Sequence, residues 1–298
     1  MTTQSQAPSG PYTVVLGIAQ DAGVPHAGCR RPCCEQARLD PSLRRYAACL
    51  AVVDPLSKQR WIIDATPDFK DQLGLLDAIA PVDARPGIDG ILLTHAHIGH
   101  YTGLIHLGRE ALGTRHVPVY AMPRMRGFLE SNGPWEQLVT LGNIELRDLA
   151  DDQPTALNDR LRVTPLTVPH RDEYSETVGF RIEGPGRSVL YLPDIDKWQQ
   201  WGRRIEDELA RVDMAYLDAT FFDSDEVGGR AMDTIPHPFL AESIERFAAL
   251  SAKQRSKVRF IHLNHTNPVL NPSGPAAGRV RQAGHGVAQR GEIVPLGA

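Results

Sequence analysis

The chain has 298 residues, a formal net charge of −4, 42% hydrophobic residues and 23% charged ones. That balance excludes a chain that is disordered throughout, and the small negative charge gives no reason to expect nucleic acid or an anionic membrane as a partner. No apolar run approaches the roughly 18–20 residues of a membrane span, and the opening segment has neither the basic start nor the apolar stretch of a signal peptide, so the expectation is a cytoplasmic enzyme or binding protein.

Residues 1–10 read as a flexible leader and 11–298 as one domain. Tyr12–Ile18 is apolar and β-rich and predicts a first strand. Gln20–Pro32, crowded with Gly, Pro and Cys, predicts a loop. Ala47–Val53 and Trp61–Asp64 flank a turn-like stretch and predict a hairpin. Pro67–Ile79 has helical spacing with Pro near its start. Ile88–Thr94 predicts a short buried strand, and Thr102–Leu112 a helix. Strands follow at Val117–Ala121 and Leu161–Val168, with a short helix at Met125–Glu130 between them. Thr177–Glu183 and Ser188–Leu192 predict a hairpin around a Gly-Pro-Gly turn. Trp198–Leu209 and Pro238–Leu250 read as helices, Met214–Asp218 and Lys257–Leu263 as strands, and Glu292–Leu296 as the last strand. Two β-rich halves, each with helices, predict an α/β layered fold with two sheets covered by helices.

The strongest chemical signal is Thr94-His95-Ala96-His97-Ile98-Gly99-His100. A strand delivers it and a helix follows. Three histidines in six residues at a strand end can converge on one point, and neutral imidazole is a common ligand for zinc, iron and other transition metals. A second cluster is Cys29, Cys33 and Cys34. In a chain without secretory features, such a trio reads as metal binding more readily than as disulfides. Cys49, inside an apolar run, reads as core.

The histidine motif resembles the His-x-His-x-Asp-His motif of the metallo-β-lactamase fold superfamily, and further elements of that superfamily follow in order. Asp64 closes the strand WIID, His170 ends LTVPH, Asp194 closes VLYLPD, and His265 lies in FIHLNHTNP. The resemblance spans about residues 12–296 and implies an αββα four-layer sandwich. It also implies His95, His97 and His170 as ligands of one metal, and His100, His265 and Asp194 as ligands of a second, with Asp64 orienting a ligand histidine. Gly99 stands where the superfamily has aspartate. LPDIDKW, LDATFF, GGRAMDTIPH and FIHLNHTNPVL resemble more narrowly the pyrroloquinoline quinone biosynthesis protein B family, of which the chain reads as a divergent member. Related phosphodiesterases of phosphonate metabolism share the cysteine cluster, which both relatives use as a structural zinc knuckle. Here Cys29, Cys33 and Cys34 would hold zinc, with His26 or a C-terminal histidine such as His285 as fourth ligand.

Asp218, at a strand end on the same rim, is a candidate catalytic group beside Asp194. Asp68, Asp196, Thr266 and His237 are candidates to stand behind the ligands or line the pocket, and Asp21 is a candidate to face the cavity. His262 reads as a buried structural histidine, because strand alternation would turn it away from His265. His106 and His116 read as helix-face or surface residues.

The leading expectation is a metal-dependent hydrolase, in which a metal-bound water attacks an ester, phosphodiester or lactam-like bond. It would hold one catalytic zinc and one structural zinc, with iron or manganese as alternatives at the catalytic site. The substrate would be a small molecule or a peptide, and a homodimer is an open option. Two other readings stand beside it. One is an iron-dependent oxygenase or hydroxylase, as the narrower resemblance suggests. The other is a non-catalytic small-ligand binding protein or carrier. Substrate groups would come from loops at 20–35, 122–160 and 222–237, and WEQLVTLGNIELRDL would form a lid or a contact surface.

Overall fold

A computed structural model describes residues 8–83, 85–228 and 232–297. Residues 1–7 of the expected leader and 229–231 of the expected substrate loop lie outside the described residues. The strands are β1 (Tyr12–Gly17), β2 (Cys49–Asp54), β3 (Gln59–Ile63), β4 (Gly90–Leu92), β5 (Val117–Ala121), β6 (Ile144–Asp148), β7 (Thr155–Ala156), β8 (Arg162–Val168), β9 (Thr177–Glu183), β10 (Ser188–Leu192), β11 (Met214–Asp218), β12 (Val258–Ile261), β13 (Gly286–Val287) and β14 (Ile293–Pro295). They form two seven-stranded sheets, ordered β14-β1-β2-β3-β4-β5-β6 and β13-β12-β11-β10-β9-β8-β7. In each sheet one part is antiparallel and the other, β3 to β6 or β10 to β13, is parallel. The α-helices are α1 (Pro32–Leu39), α2 (Phe69–Ile79), α3 (Ile98–Tyr101), α4 (Pro123–Ser131), α5 (Trp135–Thr140), α6 (Ile205–Arg211), α7 (Leu240–Phe247), α8 (Ala252–Arg255) and α9 (Pro275–Gln282).

Both faces of each sheet are covered, which explains why the strands read as unbroken apolar runs. All six residues of β1 and β2 are buried. Alternate residues serve two cores. Val15, Leu50, Val52 and Ile63 face the second sheet, whose Phe180, Ile182, Val189 and Tyr191 share one face and belong to the same core. Val14, Ala51, Val53 and Ile62 face outward beneath Phe69 and Leu76 of α2 and Met125 and Leu129 of α4. On the far side, Leu209 of α6, Leu240 and Phe247 of α7 and Val280 of α9 cover the second sheet. Helix, sheet, sheet and helix give the four-layer αββα sandwich. No helix among the described residues is long and apolar enough to cross a membrane.

Some elements differ from their sequence reading. The helix expected over Trp198–Leu209 is a 3₁₀ turn at Trp198–Gln200, a break at Gly202, and then α6. The helix expected over Thr102–Leu112 is α3 followed by a 3₁₀ turn, Thr102–Leu107. The segment from 122 to 160 is not mainly loop: it holds α4, α5 and the edge strand β6. The expected lid is therefore part of the sandwich wall, with Trp135 of α5 packed on Tyr101 and Phe128. β6 escaped notice because its mixed burial leaves no clean apolar run.

Candidate metal centre

One end of the sandwich gathers the polar side chains. Asp64 follows β3, Thr94 and His95 follow β4, His170 follows β8, Asp194 follows β10, Asp218 ends β11 and His262 follows β12. All stand at the carboxyl ends of strands, the general location of ligand sites in sheets with parallel strands. Asp21 arrives on the loop after β1.

His95, His97, His170 and Asp194 offer ligand atoms within 4.8 Å of one another. His95 Nε2 is 3.3 Å from Asp194 Oδ2, and His170 Nε2 is 3.2 Å from Asp194 Oδ1. Beside them lies a second group, Asp21, His100 and His262. His100 Nε2 is 3.2 Å from Asp21 Oδ1, and His262 Nε2 is 3.6 Å from it. Both imidazoles also stand 3.8 Å from Asp194 Oδ2. Asp194, 3% exposed, thus lies between two poles.

Each histidine is held by its other ring nitrogen. His100 Nδ1 donates to Asp64 Oδ2 at 2.7 Å. His95 Nδ1 donates to Thr94 Oγ1 at 3.0 Å, and that hydroxyl donates in turn to Asp64. His170 Nδ1 donates to Asp196 Oδ1 at 3.0 Å. His262 Nδ1 donates to Thr220 Oγ1 at 2.9 Å, and that hydroxyl donates in turn to Asp218 Oδ1 at 2.8 Å. His97 is the reverse case, with Nε2 at 3.3 Å from the exposed Glu173. These bonds orient each ring and aim its other nitrogen inward, as outer partners do for metal-binding histidines.

The inward atoms have no hydrogen-bond partner. Nε2 of His95, His100, His170 and His262, Nδ1 of His97, Asp21 Oδ1 and Asp194 Oδ1 are all buried and unsatisfied. Leaving a buried polar atom unpaired costs about 1–3 kcal/mol, and seven such atoms around one space are not tolerable on those terms. A set of imidazole nitrogens and carboxylate oxygens is the donor chemistry of zinc, iron or manganese. The residues therefore fit a divalent transition metal.

The local electrostatics agree. Burial works against ionised Asp194 and Asp21, but the surrounding imidazoles hold both carboxyls far below the usual carboxylate range. Burial, with His100 beside it, pushes His95 well below the ordinary histidine value. His170 is opposed by burial, yet the carboxylates of Asp194 and Asp196 raise it to about 10. Buried carboxylates kept ionised are what a cation requires.

His237 also reaches this end. Its Nδ1 donates to Asp218 Oδ2 at 2.8 Å and lies 3.2 Å from Asp194 Oδ1. The Asp218 carboxylate is saturated: it accepts from Thr220 N, Thr220 Oγ1, Ile195 N and His237 Nδ1. It acts through His237 and Thr220 rather than as an open group.

Four expected positions are corrected. His265 is not at this centre. It stands with Cys29, Cys33 and Cys34, its Nδ1 3.5 Å from Cys34 Sγ and 3.8 Å from Cys33 Sγ. His262, expected to face away, takes the place at the second pole. β12 ends at Ile261, so alternation no longer governs the next residue, and His262 adopts a left-handed φ of 63° that turns its ring into the centre. His26 is not the imidazole grouped with the three sulfurs, a place that His265 takes; its Nδ1 donates to Ala27 O at 2.8 Å. His285 is remote from it, packed on Phe247 and Phe260.

The cysteine cluster has the donors of a closed tetrahedral zinc site, three thiolates and one imidazole. Backbone amides of Arg31 and His26 donate to the sulfurs of Cys29 and Cys34. The amide of Arg31 lowers the Cys29 thiol, whereas burial raises the Cys34 thiol to about 12. Asp68 and Thr266 serve elsewhere. Asp68 accepts from Ala47 N at 2.8 Å, and Thr266 donates to Glu226 beside His265. Cys49 is buried in the outer core.

Comparison with known proteins gives three findings. A family model described as beta-lactamase superfamily domain matches residues 59–263. Coenzyme PQQ synthesis protein B of Xanthomonas campestris pv. campestris (strain B100) is 28% identical over 310 residues, covering 95% of this chain and 99% of that protein. Among solved structures, Zn(2+)-bound PqqB from Methylobacterium extorquens is similar with a TM-score of 0.79 and 25% identity, over 96% of this chain and 100% of that one. A diphosphatase from the PhnP family shares the fold, with a TM-score of 0.65 and 23% identity over 95% of this chain and 96% of that one.

Proposed function

Because this chain belongs to the beta-lactamase superfamily, we propose that it is a metal-dependent hydrolase acting on an ester, phosphodiester or lactam-like bond. The observation that carries the reading is the shared carboxylate: Asp194 faces His95 and His170 on one side and His100 and His262 on the other, with every inward nitrogen of these rings unpartnered. Two neighbouring cations would be held, one by His95, His97, His170 and Asp194, the other by His100, His262 and Asp194. Bound there, divalent cations supply Lewis acidity and make water a nucleophile near neutral pH.

The chain's own residues supply the rest. Asp64, Asp196 and Thr220 accept from Nδ1 of His100, His170 and His262 and so keep the opposite ring nitrogens aimed inward. Asp218 steadies His237 through Nδ1, and His237 is the group at this rim that can carry a proton toward a leaving oxygen. The cysteine cluster with His265 would hold a structural zinc that fixes the loop before α1.

The test is hydrolysis of bis(p-nitrophenyl) phosphate, p-nitrophenyl acetate and nitrocefin by protein loaded with Zn2+ or Mn2+, beside a His95→Ala variant. Turnover of one substrate that His95→Ala abolishes supports the reading. Iron in the purified protein, with oxygen uptake and no hydrolysis, overturns it in favour of an oxidative enzyme.

A further inference from the structure

Gly99 leaves the second pole without the carboxylate that an aspartate directly before His100 would bring. We propose that Asp21, from the loop after β1, is the carboxylate ligand of the second cation, and that Gly99 is glycine because Asp21 fills the space its side chain would need. The inference rests on the two-cation reading above and adds a ligand from a different part of the chain.

Three observations carry it. The first is volume. A Cβ on Gly99 would lie 2.2 Å from Asp21 Oδ1, 2.6 Å from Asp21 Cγ and 2.5 Å from Asp21 Cα. The two side chains are mutually exclusive, so a carboxylate can enter this space from residue 21 or from residue 99 but not from both. The second is aim. Asp21 Oδ1 faces His100 Nε2 at 3.2 Å and His262 Nε2 at 3.6 Å. All three atoms are buried and none has a hydrogen-bond partner. Both imidazoles are 1% exposed, so this is an enclosed set of donors and not a surface cluster. The third is fastening. Ala19 bridges Leu263 and Ala47, Gln20 N donates to Leu263 O at 2.9 Å, and Gly23 N donates to Gln20 O at 2.8 Å. The loop is thus pinned beside the turn that carries His262. Gly23 closes it with a left-handed φ of 67°, a conformation that favours glycine.

With Asp21 in place the second pole has four donors, Asp21, His100, His262 and the shared Asp194. The lost charge is restored from a position 78 residues earlier in the chain.

The test counts metal. Wild type, Asp21→Asn, Asp21→Glu and His262→Ala are dialysed to equilibrium against Zn2+ and analysed by mass spectrometry, with circular dichroism and the apo Tm as controls for folding. Asp21→Asn is isosteric and is expected to lose the same single equivalent as His262→Ala. Its affinity for that equivalent should fall by at least the roughly 10–100-fold that outer partners alone are worth. Asp21→Glu, which keeps the carboxylate, should retain the equivalent with weakened affinity. Asp21→Asn that binds as many equivalents as tightly as wild type overturns the proposal. So does Asp21→Glu behaving like Asp21→Asn while both are folded. The two-cation reading fails separately, when wild type itself binds nothing that His262→Ala or His95→Ala removes.

Discussion

His262 and His265 stand three residues apart on the turn after β12, yet they serve two different sites. His262 Nε2 lies 3.6 Å from Asp21 Oδ1, whereas His265 Nδ1 lies 3.5 Å from Cys34 Sγ. The two substitutions should therefore separate cleanly. His262→Ala is expected to lose one equivalent of metal and hydrolysis together. His265→Ala should lose the equivalent held by the cysteines, lower the Tm, and make the Tm insensitive to a chelator that lowers it in wild type. Metal analysis and thermal melts with and without the chelator decide it.

Asp64 is buried and binds both Thr94 Oγ1 and His100 Nδ1. It also has a left-handed φ of 69°, which asparagine tolerates better than alanine. Asp64→Asn is expected to keep the fold but weaken metal binding by about 10–100-fold, because a neutral amide no longer holds His100 in one tautomer. Isothermal titration with Zn2+ measures the loss.

Gly99→Ala places a methyl group where Asp21 lies. Displacing that loop should cost stability of about 1–3 kcal/mol by overpacking. Urea unfolding of the metal-free protein reads this cost apart from any effect on metal.

Phe180 is fully buried between the sheets, on the same face as Ile182 and Tyr191. Phe180→Ala is expected to destabilise by about 3–5 kcal/mol. The urea midpoint should fall with an unchanged m-value, since no element is lost.

Asp54 gives a pH prediction away from the metal centre. Burial opposes its ionised form, but Arg160, Asn158 and the amides of Leu56 and Ser57 hold the carboxyl below the ordinary value of 3.8. Arg160 Nε reaches Asp54 Oδ2 at 3.0 Å, tying the β2–β3 turn to the loop before β8. A folded value below the unfolded one contributes stability that is complete above pH 3.8 and lost as pH falls through the folded value. Asp54→Asn should therefore lower stability at pH 6 more than at pH values of about 3 and below. Urea melts across that range would show parallel curves if Asp54 had no such role.

The strands were legible because burial on both faces writes long apolar runs, as in β1 and β2. The histidines of residues 95–100 were legible because a single loop presents them. What escaped notice depends on contacts across the chain. Asp21 and Gly99 explain each other only in space. His262 and His265 were exchanged because alternation was carried past Ile261, where β12 stops. The break at Gly202 escaped because Trp198 and Ile205 are both buried and mimic one helical face.

The short pairing of Ala19 with Leu263 has a consequence for how this protein can vary. It locks two segments in register with Asp21 two residues beyond one partner and His262 one residue before the other. A single residue inserted on either side would slide one of these groups by about 3.3 Å, comparable with the 3.6 Å that now separates them. These segments can exchange side chains, but their lengths are fixed.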